Sequence, residues 1–141
     1  MRLLDAADRP SGALRDRLID KGYDDETVAA VVDRLIEVGL VDDESYAQSA
    51  VRYCVGRLMG SRGAVMELAR KGVDRPLAER VCDEARMSGV FEDAAWELGR
   101  RSAAKTQGMD PKVRKRRFWS SGGRKGHDAE TLRAVAHELF D

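Results

Sequence analysis

The chain has 141 residues and is short of most of the residues that mark an enzyme, a membrane protein or a disulfide scaffold. It has three prolines and only 6% aromatic residues, so neither a proline-rich linker nor an aromatic-rich sheet is expected. Cys54 and Cys82 stand far apart, outside any CxxC, each on an apolar helical stripe. Buried reduced thiols are therefore expected, and no disulfide. His127 and His137 do not share a helical face as ligands four residues apart would, and no Cys or acid completes a zinc set. No apolar run approaches the roughly 18 residues a membrane span needs. The first residues lack the apolar core of a signal peptide, so a cytoplasmic protein is expected. Serines lack a plausible His–acid partner and no glycine-rich nucleotide motif occurs. Neither a cofactor nor enzymatic activity is expected.

Net charge is also missing, since 25 Lys and Arg balance 25 Asp and Glu. The balance hides a gradient. Residues 1–50 carry 12 acids and 6 Lys/Arg, a net of −6; residues 51–100 carry 8 and 9, a net of +1; residues 101–141 carry 5 and 10, a net of +5. Such asymmetry bears on partners and orientation more than on fold.

What is present is an internal echo. Ser11, Leu18, Lys21, Gly22 and Asp24 recur as Ser61, Leu68, Lys71, Gly72 and Asp74, and Lys-Gly followed by Asp returns as Lys125, Gly126 and Asp128. After each comes an apolar comb: Val28, Val31, Val32, Leu35; Ala78, Val81, Cys82, Ala85; Leu132, Val135, Ala136, Leu139. A period near fifty built from helical signals predicts an all-α protein, an elongated array of three tandem three-helix repeats, at 1–40, 41–89 and 90–141. A monomer is expected.

In the middle copy Asp42 or Asp43 is placed to cap a helix from about Glu44, ended by Gly60. Ser61 would cap a second helix to Lys71, and Asp74 a third with Pro76 in its first turn. The Lys-Gly pairs read as helix stops, not phosphate loops, because glycine suits the left-handed residue that ends a helix. The first copy runs the same course from Ser11 to Gly22 and from Asp24 or Asp25 to Val38, but its opening helix is nearly missing. Arg2, Leu3 and Leu4 read as the end of one. The third copy predicts helices at about Ala94–Thr106, Pro111–Trp119 and Asp128–Phe140. Between the last two, Ser120-Ser121-Gly122-Gly123 reads as a frayed segment or loop, since each helix-interior glycine costs about 1 kcal/mol.

The run Gly39-Leu40-Val41-Asp42-Asp43-Glu44-Ser45-Tyr46-Ala47, followed by Val51-Arg52, Gly60-Ser61-Arg62, Glu67-Leu68 and Lys71-Gly72-Val73, resembles the central signature of the RecX family, regulators of the bacterial RecA recombinase. The likeness extends over almost the whole chain. It implies a crescent lying in the groove of the RecA–DNA filament and inhibiting filament growth, ATP hydrolysis and strand exchange without catalysis of its own. Three departures stand out: the clipped first helix, Ala64 in place of a larger aliphatic, and Ser121-Gly122 in place of apolar residues.

Two basic sets are candidate contacts with the filament or with single- or double-stranded DNA. Lys112, Arg114, Lys115, Arg116 and Arg117 form the densest run, beside Arg124 and Lys125, and cover most of a helix circumference. Arg52, Arg57, Arg62, Arg70 and Lys71 are sparser, and the resemblance singles out Arg52, Arg62 and Lys71. The bland reading of either set is a solvated helix face, with Phe118 and Trp119 simply anchoring the basic helix. A direct helical DNA-binding module or transcription regulator is the alternative, although no recognition helix with Asn, Gln and Arg on one face is evident.

Overall fold

The computed structural model describes residues 9–141, so the expectation for Arg2, Leu3 and Leu4 falls outside it. Within that span the chain forms eight α-helices and no strand: α1 Ser11–Asp20, α2 Asp25–Glu37, α3 Asp43–Gly56, α4 Ser61–Arg70, α5 Arg75–Met87, α6 Val90–Lys105, α7 Pro111–Arg124 and α8 Ala129–Phe140. None is long and apolar enough to cross a membrane.

Except for Val31, which is 41% exposed, the apolar combs face inward and build three successive cores. Leu14, Val28, Val32, Leu35 and Val41 form the first. The middle core joins Ala47, Val51, Cys54, Leu68, Val81 and Cys82, and Phe91 reaches into it from α6. Leu98, Phe118, Leu132, Val135 and Ala136 make the last, with Leu58 packed against it from the preceding repeat. Each core is the meeting of one helical stripe per helix, as the spacing predicts. Cys54 and Cys82 are buried and unpaired. Burial pushes the Cys82 thiol up to about 11, which keeps it an inert hydrophobe.

The Lys-Gly pairs do stop helices. Gly22, Gly72 and Gly126 take φ of 98°, 100° and 84°. The next amide then turns back to a carbonyl five residues earlier: Tyr23 to Leu18, Val73 to Leu68 and His127 to Gly122. Asp24, Asp42 and Asp128 cap α2, α3 and α8 through the amides of Thr27, Ser45 and Thr131.

Several local expectations need correcting. Helix α3 ends at Gly56, not Gly60; Leu58 takes the left-handed position with φ 62°, and the Met59 amide closes on Cys54. Gly60 instead precedes α4, so Ser61 lies inside that helix and does not cap it. Asp74 makes no side-chain cap. Helix α6 begins at Val90, ahead of Ala94. Ser120–Gly123 is neither frayed nor a loop, because α7 runs through it to Arg124. Gly122 is buried and lies so close to Leu132 of α8 that an added Cβ would overlap that side chain. The helix penalty of glycine is offset by the close approach it allows between α7 and α8.

Successive repeats dock through backbone. A Cβ on Gly12 would overlap the Gly72 carbonyl, and one on Gly126 would overlap the Gly63 amide. In each case the stop of one repeat's second helix sits on the first turn of the corresponding helix in the repeat before.

Candidate basic cleft

The second joint is reinforced by polar contacts, and these locate the cations. The Gly60 amide donates to the Lys125 carbonyl (2.8 Å), and the Lys125 ammonium donates to the Arg57 carbonyl (2.9 Å) at the C-terminal end of α3. His127 Nε2 lies 2.8 Å from the Leu58 carbonyl, so Nε2 carries the proton and donates. Desolvation holds the His127 imidazole below its ordinary value, partly opposed by that hydrogen bond and by Asp128.

Beside this joint α3, α6 and α7 enclose a cleft of about 430 Å³. Its walls carry Arg57, Arg101, Lys105, Arg117 and Lys125 and, among the described residues, no carboxylate, over a floor that includes Leu58 and Leu98. Next to it lies a smaller depression bounded by Tyr53, Arg57, Glu67, Arg124 and Lys125. Tyr53 is 55% exposed, with the Arg57 guanidinium 5.7 Å and the Lys71 ammonium 5.5 Å from its ring centroid. Such cation–ring contacts hold long basic side chains in place without neutralising them. Five cations in so small a volume repel one another, and an entering anion would relieve that repulsion.

The basic run of α7 divides by environment. Arg114 is a structural clamp: its Nε donates to Thr106 Oγ1 and one Nη to the Ala103 carbonyl, both at 3.1 Å, while its guanidinium lies 5.4 Å from the Phe140 ring centroid. Lys115 is 2.6 Å from Asp141. Arg116 and Arg117 are exposed, with no ion-pair partner among the described residues, and Lys112 is also exposed. Arg124 donates to Ser120 Oγ. Phe118 is fully buried, and half-buried Trp119 packs against the last core.

The middle set is equally uneven. Arg70 pairs with Glu67 at 2.5 Å, and Lys71 lies 4.0 Å from the same carboxylate. Among the described residues Arg52 donates only to Ser49 Oγ, at the lip of a groove floored by Val51, Val55, Val81 and Val90. Arg62 is exposed on the first turn of α4. Folding thus brings Arg57, Arg117 and Lys125 together and leaves Arg52, Arg70 and Lys112 outside the cleft.

Arg101 and Lys105 were not singled out by sequence. They lie four residues apart on α6, one turn of helix and so one face. That spacing was the available signal, but only docking of α6 on the end of α3 shows what they face.

Two family models match the chain. "RecX, first three-helix domain" covers residues 1–35, and "RecX, second three-helix domain" covers residues 42–81. The "Regulatory protein RecX" of Thermobifida fusca is 37% identical over 99% of this chain and 76% of its own length. That of Mycobacterium sp. (strain JLS) is 48% identical over 52% of this chain and 41% of its own length, so the match spans about two fifths of that relative. Among solved structures, RecX from Lactobacillus salivarius superposes with a TM-score of 0.81 at 20% identity, covering 93% of this chain and 85% of the other. A second crystal structure, of a regulatory protein RecX, gives a TM-score of 0.77 at 18% identity over 92% of this chain and 65% of the other.

Proposed function

Because the chain belongs to the RecX family of regulatory proteins, we propose that it regulates homologous recombination and DNA repair by binding the RecA nucleoprotein filament in the cytoplasm. Binding restrains filament growth, ATP hydrolysis and strand exchange, and the regulator does no chemistry itself. The observation that carries this reading is the acid-free cleft between the middle and last repeats. A nucleoprotein filament is a polyanion of regular pitch, and a cluster of five cations, of which only Arg101 has an ion-pair partner among the described residues, is complementary to it in charge.

The three cores give the mechanism its form. Each repeat is a unit with its own interior, and backbone joints fix neighbouring units at set offsets. Cations from two repeats therefore reach the filament together, and the second contact forms at high effective concentration once the first is made. A filament held at several places cannot rearrange its protomers freely. Contacts preferring one filament state shift the equilibrium toward it.

Filament-dependent ATPase and strand exchange, measured with and without stoichiometric protein, test the reading. Both should fall, and the fall should weaken as salt is raised. Unchanged rates in both assays would sink it. Binding to duplex DNA with sequence selectivity and no effect on the recombinase would favour the DNA-binding module instead.

A further inference from the structure

We propose that the cleft between α3, α6 and α7 holds the sugar–phosphate backbone of a single nucleic-acid strand, independently of any protein partner. This deepens the proposed function, resting on it for the biological setting and on the cleft's own chemistry for the ligand. Arg57, Arg101, Lys105, Arg117 and Lys125 converge from three helices of two repeats. The nearest carboxylate to Arg101 is Glu97, 3.2 Å away, which also pairs with Arg100 and does not line the cleft. One exposed carboxylate shared between two guanidinium groups leaves the cleft strongly positive.

Shape and charge density select the ligand. At about 430 Å³ the cleft lies toward the small end of ligand sites, which run from about 300 to 1,000 Å³. It cannot admit a duplex, and a folded protein would reach in only with isolated side chains. A single strand is thin enough to enter, and it delivers one full charge per phosphate at regular spacing. The exposed edge of Leu58 and the Leu98 side chain give the sugar an apolar floor. Lys125 sets the register, since its ammonium already donates to the Arg57 carbonyl and an incoming phosphate oxygen would take the remaining donors.

The test is fluorescence anisotropy of a labelled oligodeoxythymidine with the purified full chain, recombinase absent, across a salt series. The comparison is Arg101→Glu/Lys105→Glu, both exposed helix positions. Wild type should bind with a log–log salt slope of up to about −3.5, because each single-strand phosphate contact contributes about −0.7. The double variant should bind about tenfold or more weakly, with a slope shallower by about 1.4. Arg117→Glu, from a different helix, should reproduce part of the loss. Wild-type failure to bind, or a variant matching wild type in affinity and slope, overturns the proposal. No strand binding by wild type, with restraint of the recombinase lost in the variant, overturns it while leaving the proposed function standing; the cleft would then take an acidic protein surface. Strand binding lost in the variant, with the recombinase indifferent to wild type, supports the phosphate site and sinks the proposed function.

Discussion

Asp43, in the first turn of α3, accepts two hydrogen bonds from Ser11 at the start of α1: one from its amide at 2.7 Å and one from its hydroxyl at 2.5 Å. Pro10 occupies the cap position of α1 and has no side-chain acceptor, so the carboxylate caps that helix from the next repeat. Its charge also faces the positive end of the α1 dipole. Of the adjacent pair Asp42-Asp43, one acid caps its own helix and the other caps its neighbour's.

Asp43→Ala should therefore cost about 1–2 kcal/mol, the scale of a lost cap with a buried hydroxyl left unpaired. Ser11 is only 7% exposed, so water cannot fully replace the carboxylate. Urea unfolding checks this: the midpoint should fall with the slope unchanged. A cost within error of zero would show that the contact contributes nothing.

Stability should fall as pH drops below the ordinary histidine value of 6.5. Burial disfavours charge on His127, so the unfolded chain takes up that proton first. The loss begins near pH 6.5 and levels off once the folded imidazole is protonated too. Lys125 adds to the disfavour, while the Leu58 carbonyl and Asp128 oppose it. His127→Gln retains a donor for Leu58 without a titrating group. Its melting temperature should change less than that of wild type between pH 7 and about 5.5.

The adjacent glycines of α7 should respond to alanine with opposite signs. Gly123 is exposed, and an added Cβ meets nothing within 4 Å. Gly123→Ala should therefore stabilise by about 0.5–1 kcal/mol through helix propensity. Gly122→Ala gains the same propensity but crowds Leu132, and overpacking costs about 1–3 kcal/mol. Thermal unfolding of the two variants should move in opposite directions.

Arg114 and Arg116 should separate stability from binding. Arg114→Ala removes two hydrogen bonds that tie α7 to the end of α6, and should cost about 2 kcal/mol. Arg116→Glu touches no partner among the described residues, so its stability should stay within about 0.5 kcal/mol of wild type. If the proposed function holds, Arg116→Glu weakens restraint of the recombinase and raised salt erases the difference from wild type.

The all-helical repeat was legible because its signals are local. Combs such as Val28, Val32 and Leu35 fix which face is buried, and Gly22, Gly72 and Gly126 fix where helices stop. Ser120–Gly123 misled because propensity prices glycine in an isolated helix, whereas here Leu132 fills the space the missing side chain leaves. The α3 end was misplaced because a leucine, Leu58, took the left-handed position usually given to glycine. The basic run at Lys112–Arg117 was visible as composition, yet one member clamps a helix end and another pairs with Asp141. The cleft itself was not legible. Arg57, Arg101 and Lys125 are far apart in sequence, and nothing local says they converge.

The docking of Gly12 with Gly72 and of Gly63 with Gly126 sets main chain against main chain at both joints, beside the side-chain contacts of Asp43 with Ser11, Lys125 with Arg57 and His127 with Leu58. A joint made main chain to main chain places the next unit by peptide geometry, whatever that unit displays outward. The acidic first unit and the basic last one can therefore follow the same assembly rule. Surface chemistry away from Asp43 and Lys125 becomes a free variable, and charge could be redrawn there without redesigning how the parts fit. Adding a single methyl group at one of these glycines would do the reverse, leaving every surface charge intact while changing where the next unit points.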